Sequence, residues 1–223
     1  MTANTDFLGK LNAEHRDALL ARATRHRLSK KEFIFRAGDQ GDAVFLLLAG
    51  LVKTYKTSPK GEDVILWFGF PGEVFGVVET PHNIGRMVNV QACENSEIAK
   101  VSGTHFREFL AMHAEVSQLC IRVVASRLGM LANRLVYLMA DNAEARIAKF
   151  LADLAARYHD PKNGAEHSIG LTHQEIADIT GVQRQTVTRI LGKFTKRGAL
   201  TVRYRNISIR DPDLLARYAA RHF

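Results

Sequence analysis

The spacing of apolar residues changes along the chain and divides it into regions. Near the N-terminus, apolar residues three or four positions apart, including Leu8, Leu11 and Leu19, predict a helix over residues 7–25. From Phe33 onward, short apolar runs alternate with turns rich in glycine, aspartate and proline, and they predict strands at 44–48, 51–57, 64–68, 88–92 and 98–101. Such short, closely spaced strands are typical of an antiparallel sandwich or barrel.

Beyond Gly103 the pattern becomes helical and predicts one long helix over residues 104–140, with Thr104 as its N-cap. Its length of roughly 35 residues is far above the usual helix length. A small barrel cannot cover the whole apolar stripe, so we expect a second copy of the chain to pack against it. The alternative is an internal core helix of a monomer. Apolar residues on another face, Ile121, Val124 and Val136, indicate contact with both the barrel and the second subunit.

A domain boundary is predicted at residues 140–142. Asp141 and Glu144 have the spacing of a capping box, which would start a new helix over residues 143–158. The chain then divides into a barrel domain with an N-terminal helix (1–103), a long dimerisation helix (104–140) and a C-terminal domain (141–223). The predicted fold class is α+β.

The sharpest local pattern lies in residues 171–191. Thr172 and Glu175 form a second capping box, which predicts a short helix, and Gly181 stands where a tight turn to the next helix needs a permissive backbone. Seven apolar residues can form a shared core between the two helices: Ile176, Ala177, Ile179, Val182, Val187, Ile190 and Leu191. This arrangement is a helix-turn-helix, and its second helix would enter the major groove of DNA.

The polar residues of this segment have the chemistry of a DNA-reading surface. Arginine binds guanine through two hydrogen bonds, glutamine binds adenine, and a threonine methyl can contact thymine. The predicted DNA-binding residues are Thr172, His173, Gln174, Gln183, Arg184, Gln185, Thr186, Thr188, Arg189, Lys193 and Arg203. Of these, Thr172, Gln174, Thr186 and Lys193 are expected to hold phosphates.

Charge and the following residues support a nucleic-acid partner. The alternating stretch 201–209 predicts a basic β-hairpin, the wing of a winged helix-turn-helix. The net charge is +8, and residues 142–223 carry 14 Lys/Arg against 8 Asp/Glu, while residues 1–141 carry 17 against 15. A basic C-terminal third favours a polyanion, because phosphate contacts release condensed counterions.

The order of helix, β-barrel, long helix and winged helix-turn-helix resembles the CRP/FNR family, the relatives of the cyclic-AMP receptor protein. Residues 36–42 and 71–76 are similar to turns of the family's barrel, and residues 183–191 are similar to its recognition helix. The resemblance covers nearly the whole chain. It implies a cyclic-nucleotide-binding-type barrel (jelly roll) as effector domain, a homodimer, a pseudo-palindromic promoter site and contacts with RNA polymerase.

The same resemblance defines a candidate effector pocket and shows how this chain departs from cyclic-AMP binders. In those relatives, a glycine of the nucleotide-binding segment (the cassette) is followed by a Glu that binds the ribose. An Arg-Ser or Arg-Thr pair binds the cyclic phosphate, and a Thr-Ser pair closes over the adenine. The matching residues here are Gly76 and Val77, Arg86 and Met87, and Leu131 and Ala132. A site built for hydroxyl and phosphate groups loses much affinity without its polar partners. We therefore expect an effector other than cyclic AMP, or none; a structural ion pair is the alternative role for Arg86.

The sequence gives little support for the other sensor groups of the family, an iron–sulfur cluster and a haem. Residues 1–92 contain no cysteine for an iron–sulfur cluster, and His82 is the one conspicuous candidate for a haem ligand in the cassette. Cys93 and Cys120 are expected to be buried, inert thiols. No cofactor or metal is predicted, an unknown small effector is possible, and a cyclic-nucleotide- or haem-responsive regulator of the same fold remains the alternative.

Composition and motifs exclude several function classes. No catalytic serine elbow, phosphate-binding glycine loop, His-Glu-x-x-His or paired-cysteine motif occurs, so no enzyme activity is expected. The chain lacks a signal peptide and an apolar run long enough to span a membrane, and it has two cysteines, so a cytoplasmic protein is expected. An interaction module that no longer binds DNA is the remaining rival, and both activation and repression stay open.

Overall fold

The computed structural model describes residues 5–80, 84–157, 168–203 and 206–220. They fall into two compact units, one ending at Met130 and the other beginning at Leu131. Among the described residues, no helix combines the length and the apolar character that crossing a membrane would require.

Two four-stranded antiparallel sheets dominate the first unit. One has the order β1-β8-β3-β6 and the other β2-β7-β4-β5. Their bounds are β1 Thr24–Leu28, β2 Phe33–Phe35, β3 Ala43–Ala49, β4 Val52–Thr57, β5 Asp63–Gly69, β6 Val74–Phe75, β7 Asn89–Ala92 and β8 Ser96–Ser102. Each of the five strands predicted from the sequence is present, and the α+β class is confirmed.

The central strand β3 supplies residues to two cores, because successive side chains of a strand point to opposite faces. Phe45 and Leu47 pack with Val52 and Val90 of the other sheet, in the core between the sheets. Val44 and Leu46 face the other way, into a second core formed with the helices of this unit. The nearly continuous burial of β3 follows from this position.

The N-terminal helix is shorter than predicted. The segment 7–25 contains a 3-10 turn, Leu8–Lys10, helix α1, Ala13–Ala21, and the start of β1. Asn12 caps α1 by accepting a hydrogen bond from the backbone N–H of His15 (2.7 Å). The helical prediction was wrong beyond Ala21, because Thr24 and Arg25 pair with β8 and this long-range pairing overrides the local pattern.

The predicted single helix over 104–140 is two helices, α2, Gly103–Met112, and α3, Ala114–Ala140. His113 leaves the helical conformation (φ −127°, ψ 89°). Its carbonyl accepts hydrogen bonds from the N–H groups of Val116 and Ser117, and these begin α3. The break lets Phe106 and Phe109 of α2, and Val116 of α3, enter the same core. The N-cap of α2 is the Ser102 side chain rather than Thr104.

The described residues of the second unit form four further helices and a small sheet. The helices are α4 Ala143–Arg157, α5 His173–Thr180, α6 Arg184–Lys196 and α7 Pro212–Ala219. The strands are β9 Ser168–Ile169, β10 Leu200–Arg203 and β11 Asn206–Ile209, arranged antiparallel in the order β10-β11-β9. The two strands of the predicted hairpin over 201–209 are present and pair antiparallel, while β9 and α7 were not predicted.

The start of α4 differs in detail from the sequence prediction. The side chain of Asn142, not Asp141, accepts the hydrogen bond from the N–H of Ala145 (2.9 Å). Asp141 is buried and its carboxylate lies 2.6 Å from the ammonium of Lys149. The capping-box prediction for Asp141 was therefore wrong, because a buried carboxylate gains more from a direct cationic partner.

Candidate nucleic-acid interface and effector site

Helices α5 and α6 share an apolar core. All seven residues that the sequence predicted for it are buried: Ile176, Ala177, Ile179, Val182, Val187, Ile190 and Leu191. Phe194 joins them from the last turns of α6 and stacks on Tyr218 of α7, with ring centroids 4.8 Å apart. This packing fixes which face of α6 turns outward.

Two local features fix the start and the end of α5. The Thr172 hydroxyl accepts a hydrogen bond from the Glu175 N–H (3.1 Å), and the Glu175 carboxylate accepts one from the Thr172 N–H (2.8 Å). This predicted capping box fixes the start of α5. Gly181 ends α5 in the left-handed conformation (φ 64°, ψ 34°), which side chains other than glycine adopt with strain.

The outward face of α6 carries the predicted base-reading side chains. Gln183, Arg184, Gln185 and Arg189 are exposed. Gln183, Arg184, Gln185 and Thr188 line one shallow surface depression at the start of the helix. The structure thus brings together the long polar side chains that could reach base edges.

Thr188 connects this face to α5. Its hydroxyl donates a hydrogen bond to the Arg184 carbonyl (3.1 Å) and lies 2.8 Å from Nδ1 of His173. With its proton directed to the Arg184 carbonyl, the Thr188 hydroxyl can accept a hydrogen bond from Nδ1 of His173 in the tautomer that carries a proton there. Burial, and then the nearby Arg184 guanidinium, lower the pKa of His173. A neutral His173 therefore holds Thr188 in place, with Arg184 one helical turn away.

The remaining predicted contact residues differ in how they are held. The ammonium of Lys193 lies 2.6 Å from the carboxylate of Glu144, and the amide of Gln174 donates to Asp178 (2.7 Å). Thr186 is half-buried, and Arg203 is exposed on β10. Residues 158–167, 204 and 205 lie outside the described residues.

In the first unit, Arg86 occupies the region where the sequence placed an effector pocket. Its side chain is 1% exposed, and its guanidinium donates to the carbonyls of Gly76 and Ala43. The carboxylate of Glu79, itself buried, lies 3.6 Å away. Burial lowers the pKa of Arg86, and Glu79 opposes that shift. Protein groups thus surround this cation on several sides.

Arg86 also fills the space beside the cassette glycine. A Cβ on Gly76 (φ 82°) would come within 2.5 Å of the Arg86 guanidinium. The guanidinium carbon lies 4.4 Å from the ring centroid of Phe35. The arrangement has the geometry of the structural ion pair that the sequence left as the alternative role for Arg86.

The remaining predicted pocket residues are distributed over the two units. Val77 is buried and Met87 is 51% exposed. Leu131 and Ala132 lie on α3 at the start of the second unit, half-buried and exposed respectively. His82 lies outside the described residues.

Sequence reasoning missed Arg127, a buried cation on α3. Its guanidinium donates to the carbonyl of Val74 (2.6 Å) and lies 3.4 Å from the carboxylate of Glu73. The rings of Trp67 and Phe75 are each 5.3 Å from it. One signal existed in the sequence, because Arg127 lies four residues after Val123 and hence on the same helix face.

Comparisons with known proteins agree with this geometry. Residues 25–113 match the cyclic nucleotide-binding domain, and residues 145–218 match the Crp-like helix-turn-helix domain. A CRP-like cAMP-activated global transcriptional regulator of Mycobacterium tuberculosis is 29% identical over 83% of this chain and 84% of its own length. The transcriptional activator protein Anr of Pseudomonas protegens is 28% identical over 91% of this chain and 83% of its own length.

The solved structure of FixK2 from Bradyrhizobium japonicum has the same fold, with a TM-score of 0.79 and 23% identity over 89% of this chain and 98% of its own. A CooA mutant from Carboxydothermus hydrogenoformans gives a TM-score of 0.75 and 24% identity over 99% and 98% of the two chains. The structures agree in fold, and the two domain matches with the curated relatives define the class of protein. The chain belongs to the CRP/FNR family of transcription regulators, with a cyclic-nucleotide-binding-type domain followed by a DNA-binding helix-turn-helix.

Proposed function

We propose that this chain is a homodimeric, sequence-specific regulator whose two α6 helices read base edges in successive major grooves of a pseudo-palindromic promoter site. The observation that carries the proposal is the exposed polar face at the start of α6, held by a fully apolar inner face. Recognition helices of this motif contact bases with their N-terminal residues. Such a regulator would act on promoter DNA and RNA polymerase in the cytoplasm.

The residues divide into two groups by their chemistry. Arg184 and Arg189 are suited to guanine, Gln183 and Gln185 to adenine, and the Thr188 methyl to thymine. The expected phosphate and flanking contacts are Thr172, His173, Gln174, Thr186, Lys193 and Arg203. On DNA binding, Lys193 would give up its ion pair with Glu144 to contact a phosphate. Because that pair is lost, Lys193 should contribute less to the affinity for DNA than an unpaired lysine would.

The homodimer rests on an exposed apolar stripe of α3. Ile121, Val124, Leu128, Leu131, Leu135 and Leu138 follow one another in alternating steps of three and four residues. Ile121 and Leu128 are each 68% exposed in the single chain, and Leu135 is 60% exposed. This repeat is the seam of a two-stranded coiled coil, and an isologous pair would remove it from water. A different face of α3, with Val116, Leu119 and Val123, is already buried in the first unit.

The first test is the base preference of α6. Arg184→Ala should weaken binding to the best selected site by about 1–3 kcal/mol and relax the preference for guanine at one position of each half-site. Gln185→Glu should shift the preference at the neighbouring position from adenine toward cytosine. Sequencing of duplexes selected from a half-site library by each purified variant measures both effects.

Arg217→Ala is the matched control for the loss of an arginine, because Arg217 is exposed on α7 rather than on α6. It should leave the selected sequence unchanged. An unchanged base preference in both Arg184→Ala and Gln185→Glu would contradict the proposed reading. Absence of any enriched sequence with the wild-type chain would favour an interaction module instead.

We further propose that the regulator does not use cyclic AMP by the usual chemistry, although the M. tuberculosis relative is named as cAMP-activated. Arg86 is held by two carbonyls and Glu79, and Val77 stands where cyclic-AMP binders have a Glu. A bound cyclic phosphate would have to replace these contacts in a buried site. An effector of different chemistry, or none, fits this arrangement better.

Thermal unfolding tests this effector proposal. A ligand at 100 times its Kd stabilises the folded state by about 2.7 kcal/mol, which would raise the Tm of a chain of this size by several degrees. We expect millimolar cyclic AMP to leave the Tm unchanged relative to 5′-AMP. A rise of several degrees that is specific to the cyclic nucleotide would overturn the proposal.

A further inference from the structure

Three side chains with metal-binding chemistry meet in the first unit, away from the region of Arg86. His15 lies on α1, His113 is the residue between α2 and α3, and Glu115 is in the first turn of α3. One potential ligand atom from each lies within 4.8 Å of the other two. Nε2 of His15 is 3.3 Å from Oε1 of Glu115, and the two imidazole centroids are 4.3 Å apart.

The three side chains together have the chemistry of a metal site. Two imidazoles and a carboxylate each offer a lone pair, and a single divalent cation can accept all three. Two histidines and one glutamate are a common ligand set for zinc, with a fourth position left to water.

The geometry allows the ligands to converge. Metal–ligand bonds of about 2.0–2.2 Å place ligand atoms of a tetrahedral site somewhat more than 3 Å apart. The Glu115 side chain is 63% exposed and can change rotamer at little cost, while His15 is held in position. The Asn12 side chain fixes the His15 backbone, and the His15 ring meets Phe109 edge to face, with centroids 6.0 Å apart. His15 is therefore a rigid ligand and Glu115 an adaptable one, so Glu115 can adjust to an ion held by His15.

The cluster is reached from solvent through a groove. His15 and Glu115 line it together with Asp6, Lys10 and Arg122. The two basic residues are balanced by the two carboxylates, so the groove has little net charge and affinity must come from the imidazoles. Imidazole-rich sites prefer late first-row divalent ions to magnesium or calcium.

We propose that His15, His113 and Glu115 bind one late first-row divalent metal ion, such as zinc or cobalt. The ion would join α1 to the junction at which α2 ends and α3 begins. That junction is already defined by hydrogen bonds from Val116 and Ser117 to the His113 carbonyl, so the ion would lock an existing break rather than create one. The proposal concerns the first unit alone and does not depend on DNA binding.

The test is a titration of the untagged, full-length, chelator-treated protein with Co²⁺, followed by visible absorption, and then displacement by Zn²⁺. We expect one ion per chain and a cobalt spectrum typical of low coordination. His113→Ala and Glu115→Gln should each weaken binding by at least about tenfold, since even outer-shell changes at metal sites have effects of this size. Zn²⁺ should raise the Tm of the wild type and not of these two variants.

Matched controls come from the same region of the chain. Glu14→Gln alters a different glutamate, which lies on α1 next to His15, and His26→Ala removes an exposed histidine of β1. Both should bind Co²⁺ as the wild type does. His15→Phe retains a ring against Phe109 and should lose binding while staying folded. Absence of binding at micromolar Co²⁺, binding insensitive to the loss of His113 and Glu115, or an equal loss in His26→Ala would overturn the proposal.

Discussion

Replacement of Leu128 by Asp should convert the dimer into a monomer that no longer binds DNA specifically. Leu128 lies in the middle of the exposed stripe of α3, and two-fold symmetry would place both introduced carboxylates in the same apolar seam. Burying an unpaired charge costs several kcal/mol, so the dimer dissociation constant should rise by at least roughly 10³-fold. Analytical ultracentrifugation across micromolar concentrations measures the change.

Asn133→Asp is the matched control, because it introduces the same charge on the same helix at an exposed position away from the stripe. It should leave the association unchanged. Far-UV circular dichroism of both variants separates dissociation from unfolding. A Leu128→Asp protein that remains dimeric with wild-type affinity would contradict the pairing along α3.

Replacement of Arg86 by Met should lower the free energy of unfolding of the first unit by about 3–5 kcal/mol, the range observed when one partner of a buried ion pair is removed. Methionine keeps much of the side-chain volume. The carboxylate of Glu79 and the carbonyls of Gly76 and Ala43 would lose their shared partner. The protein has a single tryptophan, Trp67 on β5, so its fluorescence during urea denaturation reports on this unit.

Arg25→Met provides the comparison on the surface. Arg25 lies 3.3 Å from Glu97, but its side chain is 67% exposed, and pairs of this kind contribute less than about 1 kcal/mol. The difference between the two variants isolates the effect of burial. Equal, small losses in both would show that Arg86 is not a structural cation and would reopen its role as a ligand contact.

The helix-turn-helix could be predicted almost residue by residue, because its signals are local. The Thr172–Glu175 capping box and the left-handed Gly181 are fixed by neighbours within a few residues. The apolar period of α6 alone determines that Val187 and Ile190 turn inward and Arg184 outward. The order of the domains could be predicted because the spacing of apolar residues changes along the chain from the pattern of strands to that of helices.

The parts that the sequence did not reveal depend on distant partners. Strand β1 exists because Thr24–Leu28 pairs with β8, more than sixty residues away, and its own sequence is basic and polar. The break at His113 has no glycine or proline to announce it. The helical spacing places Arg127 on the same face as Val123, but its pairing with Glu73 depends on the packing of α3 on the sheets, which the spacing does not encode.

The most direct measurement compares the affinity of the wild-type protein for two duplexes that contain the same pair of selected half-sites. In one, the half-sites are about 10 base pairs apart from centre to centre, and in the other, the spacing is increased by half a helical turn. Binding by paired α6 helices predicts that the altered spacing lowers the affinity by roughly 10³-fold, toward the non-specific level. Equal affinity for the two duplexes would contradict the claim that a symmetric pair of these helices reads DNA.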